Sequence, residues 1–221
     1  MARPATTQPT PRWQRRKEAR PSEIVAAALD VFVERGFAAA RLEEVARRAG
    51  ITKGTLYLYF DSKAALFKAV VRETIVAALT RASETVDRHT GSAAELFAQL
   101  LRETWEVMGS ARLSGLPKLV LSEARNFPEV AQFWYEEVVR PGHDLFGRVL
   151  RRGIERGEFR RVDVRLAVRL ALAPLLHALV WQHSLQYCVA EPFDVERYVD
   201  AHIDTFLHGV ANAPASESTH A

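Results

Sequence analysis

The stretch ITKGTLYLYF, residues 51–60, decides the fold. Read as a strand, with a period of two, it buries its tyrosines and leaves Leu56, Leu58 and Phe60 in water. Read as a helix, it sets Leu56 and Phe60 four apart on one face and spreads Lys53, Thr55, Tyr57 and Tyr59 over the rest. The flanks choose the helix. Gly50 ends the segment before it, Thr52 is an N-cap residue, and Asp61-Ser62 breaks and caps again.

Upstream, a short helix is predicted over residues 42–49, with Leu42, Val45, Ala46 and Ala49 on its apolar side. Two short helices joined by a tight turn at Ala49-Gly50-Ile51 form a helix-turn-helix pattern. Before them, Ile24, Ala27, Ala28, Val31 and Phe32 keep helical spacing behind a Ser22 cap. Gly36 stops that helix, and Phe37 is expected to fold back on Phe32. Downstream, a long helix starts at Lys63 and keeps its apolar spacing to about residue 88.

Everything that follows reads as helix. Gly91-Ser92, Gly115-Leu116-Pro117, Phe127-Pro128, Asp163 and Phe193-Asp194 mark starts, and Gly153 and Gly157 mark a stop. Pro141-Gly142 predicts an interruption or kink, and Pro174 a kink in a helix running to about residue 189. No strand of any length and no internal repeat is expected. The fold class is all-α, with a small N-terminal three-helix unit and a larger helical unit. The expected divisions are a basic arm at 1–20, a helix-turn-helix domain at 21–66, a helical domain at 67–210 and a polar tail at 211–221.

Charge distribution separates the two parts. Residues 1–63 hold 12 Lys/Arg against 7 Asp/Glu, and residues 64–221 hold 18 against 20. The basic excess suits a polyanion partner for the first third; a solvated basic tail is the alternative for the arm. The single cysteine, Cys188, excludes an internal disulfide and fits a reducing cytoplasm. The uncharged run 170–190 contains Pro174, His177, Gln182, His183, Ser184 and Gln186, which favours a buried helix over a membrane span.

The block GFAAARLEEVARRAGITKGTLYLYFDSKAAL, residues 36–66, resembles the DNA-binding signature of the tetracycline-repressor family of bacterial transcriptional regulators. SEARNFPEV (122–130) and GIERGEFR (153–160) resemble segments of many members. The resemblance implies a dimeric repressor whose two recognition helices enter successive major grooves of a palindromic, double-stranded operator, and which a small molecule in the C-terminal domain releases. One departure is Arg41, where the family often has Thr or Ser; it implies a lost N-cap or an added phosphate contact. An activator or a ligand-independent regulator of the same fold stays open.

Residues near the start of a recognition helix reach base edges. The expected DNA-binding set is therefore Arg41, Thr52, Lys53, Gly54, Thr55, Tyr57, Tyr59 and Lys63, with Tyr59 and Lys63 on the phosphate backbone. Trp105, Met108, Phe133, Trp134, His177 and Trp181 are candidates for an apolar ligand pocket, against the alternative that they are core. Ala167, Leu170, Ala171, Pro174, Leu175 and Ala178, with Tyr198, His202 and Phe206, make two amphipathic stripes suited to a four-helix homodimer interface, against intrachain packing alone. No enzyme, cofactor or metal site is expected. There is no phosphate-binding glycine loop, and neither His177 and His183 nor His202 and His208 share a helix face.

Overall fold

A computed structural model describes residues 12–191 and 193–212, with side chains from Pro21 onward. The first eleven residues of the expected arm and the tail beyond Asn212 lie outside these. The chain divides into two compact units at Val70/Val71.

In the first unit, α1 (Arg12–Ala39) starts ten residues ahead of the expected Ser22 cap and carries Pro21 within it. Gly36, at φ 76°, breaks its helical geometry near the end. Phe37 then turns back and stacks on Phe32, with centroids 5.7 Å apart. Phe67 meets both rings edge-on at 5.5 and 5.6 Å. All three rings are fully buried, each contributing about 2–3 kcal/mol by area and roughly 0.5–1.5 more per edge contact. They bind α1 to α4 (Lys63–Val71). Between them lie α2 (Leu42–Arg48) and α3 (Lys53–Tyr57). Gly50, at φ 65°, makes the turn; there Ile51 N donates to Ala46 O at 3.0 Å and Gly50 N to Arg47 O at 3.2 Å. A side chain at Gly50 would be strained by that φ. Arg48 holds α2 against α1 through both carboxylate oxygens of Glu34, at 2.7 and 2.5 Å.

The second unit is built from α5 (Ala77–Arg88), α6 (Ala93–Met108), α7 (Gly115–Glu123), α8 (Pro128–Trp134), α9 (Arg140–Glu155), α10 (Val164–Ser184) and α11 (Val195–Val210). Ser92, Asp163 and Asp194 cap α6, α10 and α11 with their side chains, as their sequence positions predict. The core joins α6, α9, α10 and α11 around Phe97, which meets Phe146 edge-on at 5.3 Å and stacks on Phe206 at 5.2 Å. Gly153 must be glycine, because a Cβ there would stand 2.1 Å from the Phe159 ring. An isolated bridge, Phe159 with Ala211, pins the end of α11.

Two features escape helical spacing. Five-residue π-turns fill 72–76, between α4 and α5, and 135–139, between α8 and α9. Each inserts one residue and rotates the buried face, a change a period of 3.6 cannot reveal. The break expected at Pro141 is absent: the second π-turn stands just ahead of it, and Pro141 occupies the first turn of α9, where its missing N–H costs little. The two π-turns are tied by Arg72 Nη2 to Glu137 Oε1 at 3.0 Å. Helix α10 ends at Ser184, ahead of the predicted 189, and a short 3-10 turn, 186–188, follows. By length and composition α10 is the one helix among the described residues able to cross a membrane; here it packs against α6, α7, α9 and α11.

Candidate functional site

Helix α3 buries Leu56 completely and presents its other side chains outward. Thr52 caps it: Thr55 N donates to Thr52 Oγ1 at 3.1 Å, and the two hydroxyls pair at 2.9 Å. Both threonines therefore engage each other before any base. Gly54 is exposed, and a Cβ added there would meet nothing nearer than Thr52 Oγ1, at 3.9 Å. The Lys53 ammonium pairs with Glu43 of α2 and sits 5.8 Å from the Tyr57 ring centroid. That pairing raises the Lys53 pKa and lowers that of Glu43; both groups face water, so the pair is weak and salt-sensitive. Tyr57 is 43% exposed and Tyr59 half-buried. Arg41 is exposed at the N-cap of α2 in an extended conformation, with no side-chain capping bond. Leu58, 82% exposed, was not among the expected residues. Its position two residues from both Leu56 and Phe60 places it opposite the core and was the available signal.

Lys63 makes contacts that its sequence position does not reveal. Its Nζ donates to Ala38 O at 2.9 Å and Ala40 O at 3.2 Å and lies 4.8 Å from the Phe37 ring centroid. A cation on the last carbonyls of a helix is a C-terminal cap, so this ammonium caps α1. Lys63→Met should lower stability by about 1–2 kcal/mol and leave the salt dependence of DNA binding unchanged. Denaturant melts paired with salt titrations check this; a slope reduced by about one unit at unchanged stability would assign Lys63 to a phosphate and not to the cap.

The second unit holds a partly open cavity of about 770 Å³, walled by the first π-turn, α5, α6, α7, α8, the second π-turn, α9 and α10. Its lining is mostly aliphatic and includes Trp105, Met108 and Trp134. The other three expected pocket residues lie elsewhere. Phe133 is buried beneath the Arg72 guanidinium, 5.1 Å from its ring centroid. Trp181 and His177 join Phe193 and Tyr198 in an aromatic cluster with centroids 5.0–6.1 Å apart. Trp181 Nε1 is buried there without a hydrogen-bond partner. Residues that sequence reasoning missed include Leu79, Leu100, His143, Arg169, Leu172 and Leu176. A Leu-rich helix such as α10 carries no mark of which leucine meets core and which meets a void. Burial, with the nearby Arg169 adding to it, lowers the His143 pKa and favours the neutral ring; Asp144 opposes this.

The nine expected interface residues separate by depth. Ala167, Ala171, Leu175 and Ala178 are buried in the core of their own chain. Phe206 stacks on Phe97, and His202 Nε2 lies 2.7 Å from Ala171 O. Pro174 and Tyr198 are half-buried, and Leu170 is 67% exposed. Leu166 is also exposed, at 59%. Together Leu166, Leu170 and His177 form an outward stripe on α10, at helical spacing i, i+4 and i+11.

Two family models match the chain. Bacterial regulatory proteins, tetR family, matches residues 24–70, and the tetracyclin repressor-like C-terminal domain matches residues 87–208. The HTH-type transcriptional repressor KstR2 of Rhodococcus jostii is 26% identical over 198 residues, covering 89% of this chain and 93% of that protein. The fatty acid metabolism regulator protein of Bacillus subtilis is 27% identical over 155 residues, covering 68% and 78%. The structure of the Bacillus subtilis transcriptional regulator FadR in complex with stearoyl-CoA superposes with a TM-score of 0.70 at 21% identity, covering 86% of this chain and 98% of that one.

Proposed function

Because the chain belongs to the tetR family of bacterial regulatory proteins, and so is a DNA-binding transcriptional regulator, we propose that it is a cytoplasmic, dimeric repressor released from a palindromic operator by a small apolar effector. The observation that carries this reading is the largely aliphatic, partly open cavity of about 770 Å³, of a size suited to a small molecule. The backbone supplies a route for coupling. Helix runs without a break from Lys63 through the first π-turn to Arg88, and Ile75, Ala78 and Leu79 of that run are cavity wall. A ligand that alters this wall acts on the helix that begins beside α3. It shifts DNA affinity only as far as it prefers one state; a hundredfold preference is worth about 2.7 kcal/mol.

In this reading α3 enters the major groove. Thr52, Lys53, Gly54 and Thr55 lie nearest the bases, Tyr57 and Leu58 suit thymine methyl groups, and Arg41 and Tyr59 suit phosphates. The related repressor's name supports repression, and the stearoyl-CoA complex of the Bacillus subtilis protein makes long-chain acyl compounds the first probes. The test selects operator duplexes from a random-sequence pool and titrates them with and without a panel of apolar compounds. Release by at least one cavity-binding compound is expected. Compounds that bind the cavity and never change operator affinity would leave a ligand-independent regulator.

A further inference from the structure

The apolar wall of the cavity continues outward as a row of cations. On α10, Leu176, Leu172, Arg169 and Arg165 follow one another along one face, at spacings of four, three and four. Leu176, Leu172 and Arg169 line the cavity, and Arg165 stands one turn beyond it. On α9, His143, Gly147 and Arg151 repeat the same direction at spacings of four. His143 is cavity wall and feels the charge of Arg169. Beside it, a Cβ at Gly147 would lie 3.3 Å from Arg151 Nη1 and 3.5 Å from Val164 Cγ1, so the Arg151 guanidinium lies over Gly147, where α9 meets the start of α10. Arg161 is exposed in the connection between the two helices.

These guanidiniums are exposed, and Arg151, Arg161, Arg165 and Arg169 make no ion pair or side-chain hydrogen bond among the described residues. Their neighbours behave otherwise. Arg148 is held by Asp87 and Ser83, Arg152 by two backbone carbonyls, and Arg156 by Gly91 O. The nearby acids do not neutralise the row. Asp163 spends its carboxylate on the backbone N–H groups of Arg165 and Leu166. Asp144 is exposed one residue from His143. Across the cavity, Glu103 accepts from Gln99 at 2.7 Å, while Glu106 faces water.

Taking the cavity as the effector site proposed above, we infer that the effector is an amphiphile: its apolar chain fills the cavity, and its anionic, phosphate-bearing head lies outside along Arg169, Arg165 and Arg151. One carboxylate satisfies one guanidinium as a bidentate partner. Two guanidiniums on successive turns of α10 and a third on α9 match a head with several charged oxygens.

Four probes with the same twelve-carbon chain test this by calorimetry: dodecanol, dodecanoate, dodecyl phosphate and lauroyl-CoA. At low salt the two phosphate-bearing probes should bind about tenfold or more tighter than dodecanol, and the advantage should shrink as salt rises. The Arg151→Ala/Arg165→Ala pair, both outside the cavity lining, should remove most of the advantage and leave dodecanol affinity within about twofold, since exposed charges are removed and the cavity wall is untouched. Arg169→Lys should retain most of it. Equal binding of dodecanol and dodecyl phosphate by the unaltered protein would overturn the inference while leaving the cavity as an apolar effector site. Equal binding of dodecanoate and dodecyl phosphate, both above dodecanol, would overturn the phosphate assignment. Failure of all four probes would remove the effector reading of the cavity itself, and this inference with it.

Discussion

Leu170→Glu should leave each subunit folded, convert a dimer into monomers and weaken operator binding by about a hundredfold or more. Ala171→Glu, one residue along, should give no stably folded protein. The contrast follows from depth. Leu170 is 67% exposed on the outer stripe of α10, so a carboxylate there meets water in the monomer and loses its hydration only against a second copy. Ala171 is fully buried in the chain's own core, and its carbonyl oxygen lies 2.7 Å from His202 Nε2. A glutamate at that site must bury an unpaired charge and displace packed neighbours, at several kcal/mol, a large share of a domain's stability. The loss of DNA binding reflects bivalency: each monomer reaches one half-site, and linking two raises avidity by about 10²–10⁴. Sedimentation, far-ultraviolet circular dichroism and operator titration together read the outcome. A Leu170→Glu protein that stays dimeric at micromolar concentration moves the interface off this stripe. A folded, monomeric Ala171→Glu protein would show that the four small and aliphatic residues serve the interface before the core.

The parts of the fold that one residue type dictates were legible in the sequence. Gly50 between two short amphipathic runs, Thr52 as a cap and Phe37 beyond Gly36 each have one inexpensive geometry, and the structure adopts it. The side-chain caps Ser92, Asp163 and Asp194 were legible for the same reason. What failed to show depends on partners far apart in the chain. The cap that Lys63 places on α1 depends on the carbonyls of Ala38 and Ala40, 25 and 23 residues upstream. The π-turns hide because helices rich in valine and isoleucine offer an apolar residue at either phase, so Ile75 can replace Thr74 on the buried side without disturbing the pattern. Cavity membership was legible only for half of the six expected residues, since an aromatic side chain at helical spacing serves core, cavity and surface cluster equally well. Trp134 and Trp181 look alike in sequence, yet one meets the void and the other meets Phe193.

That difference sets the second large effect. Trp134→Leu and Leu172→Trp should each weaken the effector response by about ten- to a hundredfold, while Trp181→Leu leaves it near that of the unaltered protein. Trp134 is 9% exposed and lines the cavity with Trp105 and Met108. Exchanging it for leucine removes a large share of the surface that an apolar ligand would cover, at roughly 25 cal/mol per Å² of lost contact. Leu172→Trp acts in the opposite sense, filling the void from a half-buried position on α10. Both variants should bind operator normally without effector, because the residues proposed to face DNA belong to the other unit. The pair guards against a trivial failure. Trp134→Leu risks a loss of about 3 kcal/mol or more of stability from the space it leaves, whereas Leu172→Trp adds volume to an existing space and should retain most of the fold. The measurement is the effector concentration that halves operator binding, read alongside direct effector affinity. Loss of both in step means that the substitutions removed binding. Loss of response with affinity intact would place these residues in the coupling between cavity and helix. An unchanged response in Trp134→Leu and Leu172→Trp, with a lost response in Trp181→Leu, would move the effector out of the cavity and onto the aromatic cluster, where the buried Trp181 Nε1 has no partner and a ligand acceptor would supply one.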